Sequence, residues 1–85
     1  MPAGAALNVV LYTREGCHLC EEAERMLARI GKRLPLKLHL IDIDSDDYLQ
    51  RLYMVEIPVV TVDGTEIARA PISEGKLEDA LAALL

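Results

Sequence analysis

The feature that most constrains this chain is a continuous run of β-formers, Asn8-Val9-Val10-Leu11-Tyr12-Thr13, broken by Arg14-Glu15-Gly16 and followed at once by a helical stripe. A run that is apolar on both alternations reads as a strand buried on both faces, so material must cover the sheet above and below. The stripe after it, Leu19, Ala23, Met26, Leu27 and Ile30, recurs at helical spacing, with Glu21, Glu22 and Glu24 in the first turns where the helix dipole favours acids. Gly31 is placed to close that helix in a left-handed conformation, with Lys32 and Arg33 after it.

The rest of the chain repeats the alternation. Leu36 to Ile43 reads as a second strand, with Leu36, Leu38 and Leu40 on one face and Lys37, His39, Ile41 and Ile43 on the other. Asp44 or Ser45 can cap a short helix whose first turn holds Asp46 and Asp47 and whose inner side is Leu49, Leu52 and Tyr53. After Ile57-Pro58, Val59 to Val62 and Thr65 to Ala70 form two strands around Asp63-Gly64, a pair suited to the positive φ angles of a tight hairpin turn. A last helix begins near Ser73 and carries Leu77, Ala80, Leu81 and Leu84.

The order is β-α-β-α-β-β-α. A helical crossover makes the first two strands parallel and right-handed, and the last two form an antiparallel hairpin. One mixed sheet with helices on both faces accounts for the pattern, an α/β class. In 85 residues there is room for one domain, taken as residues 8–85 behind a flexible leader of residues 1–7. With no Phe and no Trp, the core rests on Leu, Ile, Val and Ala.

Composition excludes several functions. A net charge of −5 argues against a nucleic-acid surface, which needs clustered cations. No apolar run approaches the ~20 residues of a membrane span, and Met1 to Ala6 has no cation before its apolar stretch, so it makes a poor signal peptide. The expectation is a cytoplasmic monomer that binds neither nucleic acid nor membrane.

The two cysteines, Cys17 and Cys20, are spaced C-x-x-C where a strand ends and a helix begins. Free backbone N–H groups and the positive end of the dipole there favour a thiolate. Cys17 is then the exposed nucleophile, and Cys20, about one turn on and deeper, resolves the mixed disulfide. A purely structural bridge is physically weak, because so short a loop restricts the unfolded chain little.

The segment Leu11 to Cys20 resembles the active-site stretch of the glutaredoxin-like branch of the thioredoxin superfamily, and Val55-Glu56-Ile57-Pro58-Val59-Val60 resembles that superfamily's cis-proline segment. The resemblance implies a thioredoxin-like fold and thiol–disulfide oxidoreductase activity. It implies a cis Pro58 beside the cysteines, with the Ile57 backbone turned out to pair with an extended substrate. It places Arg14 where relatives carry a cation near the nucleophile, the alternative being a solvated loop charge. The expected partners are a disulfide-containing protein or a glutathione mixed disulfide, with glutathione as candidate reductant and no tightly bound cofactor. His18 is either a cation supporting the thiolate and contacting substrate or an exposed imidazole of little effect.

Departures from the family pattern bear on specificity. His18 and Leu19 replace the usual Pro and Tyr between the cysteines, and Arg69 to Glu74 lacks the glycine pair that helps hold glutathione. Two other classes compete with catalysis: a binding module using the Ile57-Pro58 groove, and a metal or iron–sulfur carrier using the same cysteines. No metal ligand is assigned, since His18 and the thiols do not easily converge from one helical turn and His39 has no spacing signature.

Overall fold

The computed structural model describes residues 6–85. Four strands, β1 (Leu7–Thr13), β2 (Leu36–Asp42), β3 (Val59–Val62) and β4 (Thr65–Arg69), form one sheet in the order β2-β1-β3-β4. β1 and β2 are parallel, while β1–β3 and β3–β4 are antiparallel. Three helices, α1 (His18–Ile30), α2 (Asp47–Tyr53) and α3 (Glu74–Ala82), complete the expected β-α-β-α-β-β-α order.

The two faces of β1 explain the layering. Val9 and Leu11 are fully buried against a cluster that includes Ala23, Leu27 and Ile30 of α1 and Leu77 and Leu81 of α3. Tyr12, on the opposite alternation, meets Tyr53 of α2 with ring centroids 4.6 Å apart. A central strand therefore has α1 and α3 on one side and α2 on the other. Burial is unequal: α2 contains no buried residue, whereas α1 buries four.

Several local expectations are revised. Leu7, assigned to the leader, is already strand: it pairs with Leu36 and its N–H donates to the Pro35 carbonyl at 2.9 Å. The remaining leader residues up to position 5 lie outside the described residues. Gly31 closes α1 in the right-handed region, φ −62°, because the following turn continues helically and Arg33 and Leu34 both donate to the Ile30 carbonyl. β2 stops at Asp42, whose side chain caps a 3-10 turn at Ile43–Ser45, and Asp46, not Asp44 or Ser45, caps α2 by accepting from Tyr48 and Leu49 N–H. Leu40 is 48% exposed on β2, an edge strand.

The hairpin forms as expected. Asp63 and Gly64 both have positive φ, 50° and 83°. An irregularity between Val60 and Thr61 leaves Ile67 without a direct partner.

Candidate redox site

The site begins with a turn. After β1 the chain reverses over Arg14–Cys17, with Cys17 N–H donating to the Arg14 carbonyl at 3.1 Å. Gly16 at the third position has φ +79°, a left-handed value that costs glycine nothing. The turn sets Cys17 at the N-cap of α1. Its carbonyl accepts from Glu21 N–H at 3.1 Å and its sulfur accepts from Cys20 N–H at 3.2 Å. Helix caps are usually oxygen-bearing; here a sulfur satisfies one of the free amides of the first turn.

Cys17 and Cys20 are joined in a disulfide, with Cα atoms 5.2 Å apart. Their exposures differ: Cys17 is half-buried and Cys20 is 1% exposed. In the dithiol, the Cys20 amide and the helix dipole both favour negative charge at Cys17, whereas Cys20 faces an apolar interior that disfavours it.

The Ile57–Pro58 peptide bond is cis, as is Ala70–Pro71. Pro58 is buried and lines a groove with Leu19 and Met26 of α1 and with Pro71 and Ile72 of the loop after β4. Ile57 is only partly available for strand-like pairing. Its N–H donates to the Tyr53 carbonyl at 3.1 Å, leaving its own carbonyl as the group that accepts no hydrogen bond among the described residues.

Charged neighbours are mostly paired. The Arg14 guanidinium is held bidentately by Asp44, both contacts 2.9 Å, and Asp44 also accepts from Gln50. This arrangement ties the loop before Cys17 to the start of α2 and holds the Asp44 carboxyl below its ordinary range. Arg14 is thus committed to Asp44 rather than extended as a free cation. His18 is exposed, its Nδ1 3.8 Å from a Glu21 carboxylate oxygen. Arg69 joins Glu66 and Glu56, which raises the pKa of its guanidinium and pins β4 to the segment just before Ile57. Among the described residues no cluster of three or more His, Cys, Asp or Glu is arranged to hold a metal, and no helix is long and apolar enough to cross a membrane.

The model of the glutaredoxin-like domain (DUF836) matches residues 8–82, nearly the whole chain. The chain belongs to the glutaredoxin-like domain family. No curated protein matches it. Among solved structures, this glutaredoxin-like domain is similar to protein Ne2328 from Nitrosomonas europaea at 32% identity and TM-score 0.78, over 91% of this chain and 93% of that one. It is also similar to protein XcR50 from X. campestris at 30% identity and TM-score 0.77, over 88% and 96%. Thioredoxin 1 from Thermosipho africanus shares the fold at 16% identity, TM-score 0.67, over 91% and 92%. A glutaredoxin-like domain carrying a C-x-x-C pair at disulfide distance supports a redox-type role.

Three features of the site escaped the sequence reading. Asp44 as the partner of Arg14 is thirty positions away, and nothing local marks it. The Arg69–Glu56 tie spans two segments that meet only in the folded sheet. Leu19 shares the apolar stripe of α1 but is 52% exposed, lining the groove with Pro58 and Pro71 instead of entering the core.

Proposed function

We propose that this glutaredoxin-like domain is a small thiol–disulfide oxidoreductase that cycles the Cys17–Cys20 dithiol and disulfide. The observation that carries the reading is the asymmetry of the pair: Cys17 is half-exposed at a helix N-cap with its sulfur accepting the Cys20 N–H, while Cys20 is 1% exposed. In the reduced domain the Cys17 thiolate attacks one sulfur of a substrate disulfide. A Cys17–substrate bond forms, the substrate S–S bond breaks, and the departing thiolate takes a proton from solvent. Cys20 then loses its proton to solvent and attacks the Cys17 sulfur. The intramolecular disulfide forms and the second substrate thiolate leaves, so two electrons pass to the substrate. Glutathione or a dithiol protein resets the pair.

Cys17 and Cys20 are catalytic in this reading, and the Ile57 carbonyl with Pro58 forms the wall against which substrate lies. Arg14 acts through its hold on the loop before Cys17. His18, exposed beside Cys17, meets substrate at the rim. The domain works as a cytoplasmic monomer without a tightly bound cofactor.

The test is an equilibrium titration in glutathione and dithiothreitol redox buffers, read by mass spectrometry after thiol alkylation. A reversible dithiol–disulfide couple is expected. Cys20→Ser should accumulate an adduct on Cys17 and Cys17→Ser should form none. Failure to oxidise in any buffer, or adducts appearing equally on both cysteines, would refute the assignment and favour a binding module.

A further inference from the structure

The surface around Cys17 combines an apolar slot with an acidic rim. The slot reaches Leu19, which lies between the two cysteines in the chain; it encloses about 80 Å³ and is walled by Leu19, Met26, Pro58, Pro71 and Ile72. Pockets that engulf small-molecule ligands run to roughly 300–1,000 Å³. A slot this small holds one apolar side chain projecting from a longer chain. Leu19, 52% exposed in its first turn, has no partner within the domain to cover it.

The one charged residue of the slot is Glu22. Glu21 stands beside it on α1 and Glu15 is exposed in the turn before Cys17. The cations nearby are fewer, and several are already paired. Arg14 is bound to Asp44, and His18 lies against Glu21. Arg25 follows Glu21 by four positions and Glu22 by three on α1 and offsets part of their charge, but one arginine stands against the three acids Glu15, Glu21 and Glu22. Arg69 and Lys76 line an adjoining cleft of about 440 Å³ between β4 and α3, on the far side of the shared Pro71–Ile72 wall, where Arg69 is already held by Glu56 and Glu66. The whole chain carries −5.

From this we infer that the disulfide substrate is a polypeptide bearing an apolar residue next to its reacting cysteine and a positive charge close by, and not glutathione. Each glutathione unit brings two carboxylates and one ammonium, so its disulfide meets the acidic rim with like charge. A cationic peptide is attracted to that rim, places its apolar side chain in the slot and offers a backbone N–H to the free Ile57 carbonyl. The inference rests on the oxidoreductase reading and specifies its substrate. The chemistry is the two-electron exchange already described, with the peptide disulfide as oxidant.

The experiment mixes the reduced domain with three disulfides: glutathione disulfide, a disulfide-linked peptide with Leu beside Cys and Lys two residues away, and the same peptide with Glu in place of Lys. Each rate is divided by the rate of that disulfide with dithiothreitol, which removes intrinsic reactivity. The Lys peptide should lead both others by about tenfold or more at low salt. Its lead over the Glu peptide should close near 1 M NaCl, where the screening length is only ~3 Å. Replacing the peptide's Leu by Gly should slow it several-fold at any salt, and Ile72→Ser in the domain should abolish that Leu preference while sparing the salt effect. Glutathione disulfide equal to or faster than the Lys peptide, or equal rates for the Lys and Glu peptides, would overturn the inference while leaving the oxidoreductase reading standing. No disulfide reacting faster with the domain than with dithiothreitol would instead remove the oxidoreductase reading and the inference with it.

Discussion

Leu27→Ala tests how α1 is seated, and with it the platform on which both cysteines stand. Leu27 is 1% exposed and sits in the cluster formed by Val9, Leu11 and Val60 of the sheet and Leu77 and Leu81 of α3. The substitution deletes three carbons from a site enclosed on all sides. At ~0.8 kcal/mol per buried methylene the transfer loss is about 2.4 kcal/mol. The sheet and two helices leave little room to collapse, so a cavity penalty adds to it and places the total at roughly 3–4 kcal/mol. A domain of this length has of order 4–13 kcal/mol in all, so the variant sits near the edge of folding. At ~4–8 °C per kcal/mol, the melting temperature should fall by at least about 12 °C. Urea unfolding of the oxidised protein, followed by circular dichroism, measures the loss. Leu52→Ala is the internal control: Leu52 is 47% exposed on α2 and should cost under about 0.5 kcal/mol. A loss below ~1 kcal/mol for Leu27→Ala, or equal losses for the two variants, would refute the packing of α1 against the sheet and α3.

Further expectations follow from particular residues. Thr61 is 3% exposed and its hydroxyl has no partner among the described residues, so Thr61→Val should leave stability unchanged or raise it by about 1 kcal/mol; a clear loss in urea melts would mean the hydroxyl is bonded. Asp46→Ala removes the cap of α2 and should cost about 1 kcal/mol locally, read as faster amide exchange at Tyr48 and Leu49 with little change in α1; equal acceleration throughout would contradict an independently opening α2. Arg29 and Arg33 hold the Glu74 and Glu78 carboxyls below their ordinary value of 4.5. Because the folded values are the lower ones, this clasp between α1 and α3 is fully present above the unfolded carboxylate range and is lost as pH falls through and below it. Melting temperature should therefore decline below about pH 4.5, and Glu74→Gln should flatten the decline; an unchanged slope would show that the clasp contributes nothing.

Much of this protein was legible before folding. The alternation of apolar runs with helical stripes carries the element order, because strand and helix periodicities are local properties of the chain. Asp63-Gly64 names its own turn, since few residue pairs accept positive φ twice. The placing of the C-x-x-C pair at a strand-to-helix junction was legible for the same reason: the free amides of a helix start belong to sequence neighbours. Features set by one residue's position relative to a distant element were not legible. Leu19 carries an apolar label but overhangs a groove, and Leu40 lies near the end of an edge strand with nothing above it.

By itself the sequence determined the secondary-structure order, the hairpin and the identity of the redox pair, all set by interactions within a few residues. Only the tertiary structure decided the charge pairing around the site. Arg14 reads as a cation beside the nucleophile until Asp44, thirty positions on, takes up its guanidinium. Nothing local in the sequence pairs Glu56 with Arg69; the folded hairpin brings them together before the cis-proline. Charge pairing depends on distances of a few ångströms between segments far apart in the chain. Those distances exist only once β1, β3 and β4 have paired and α2 has docked at Tyr12.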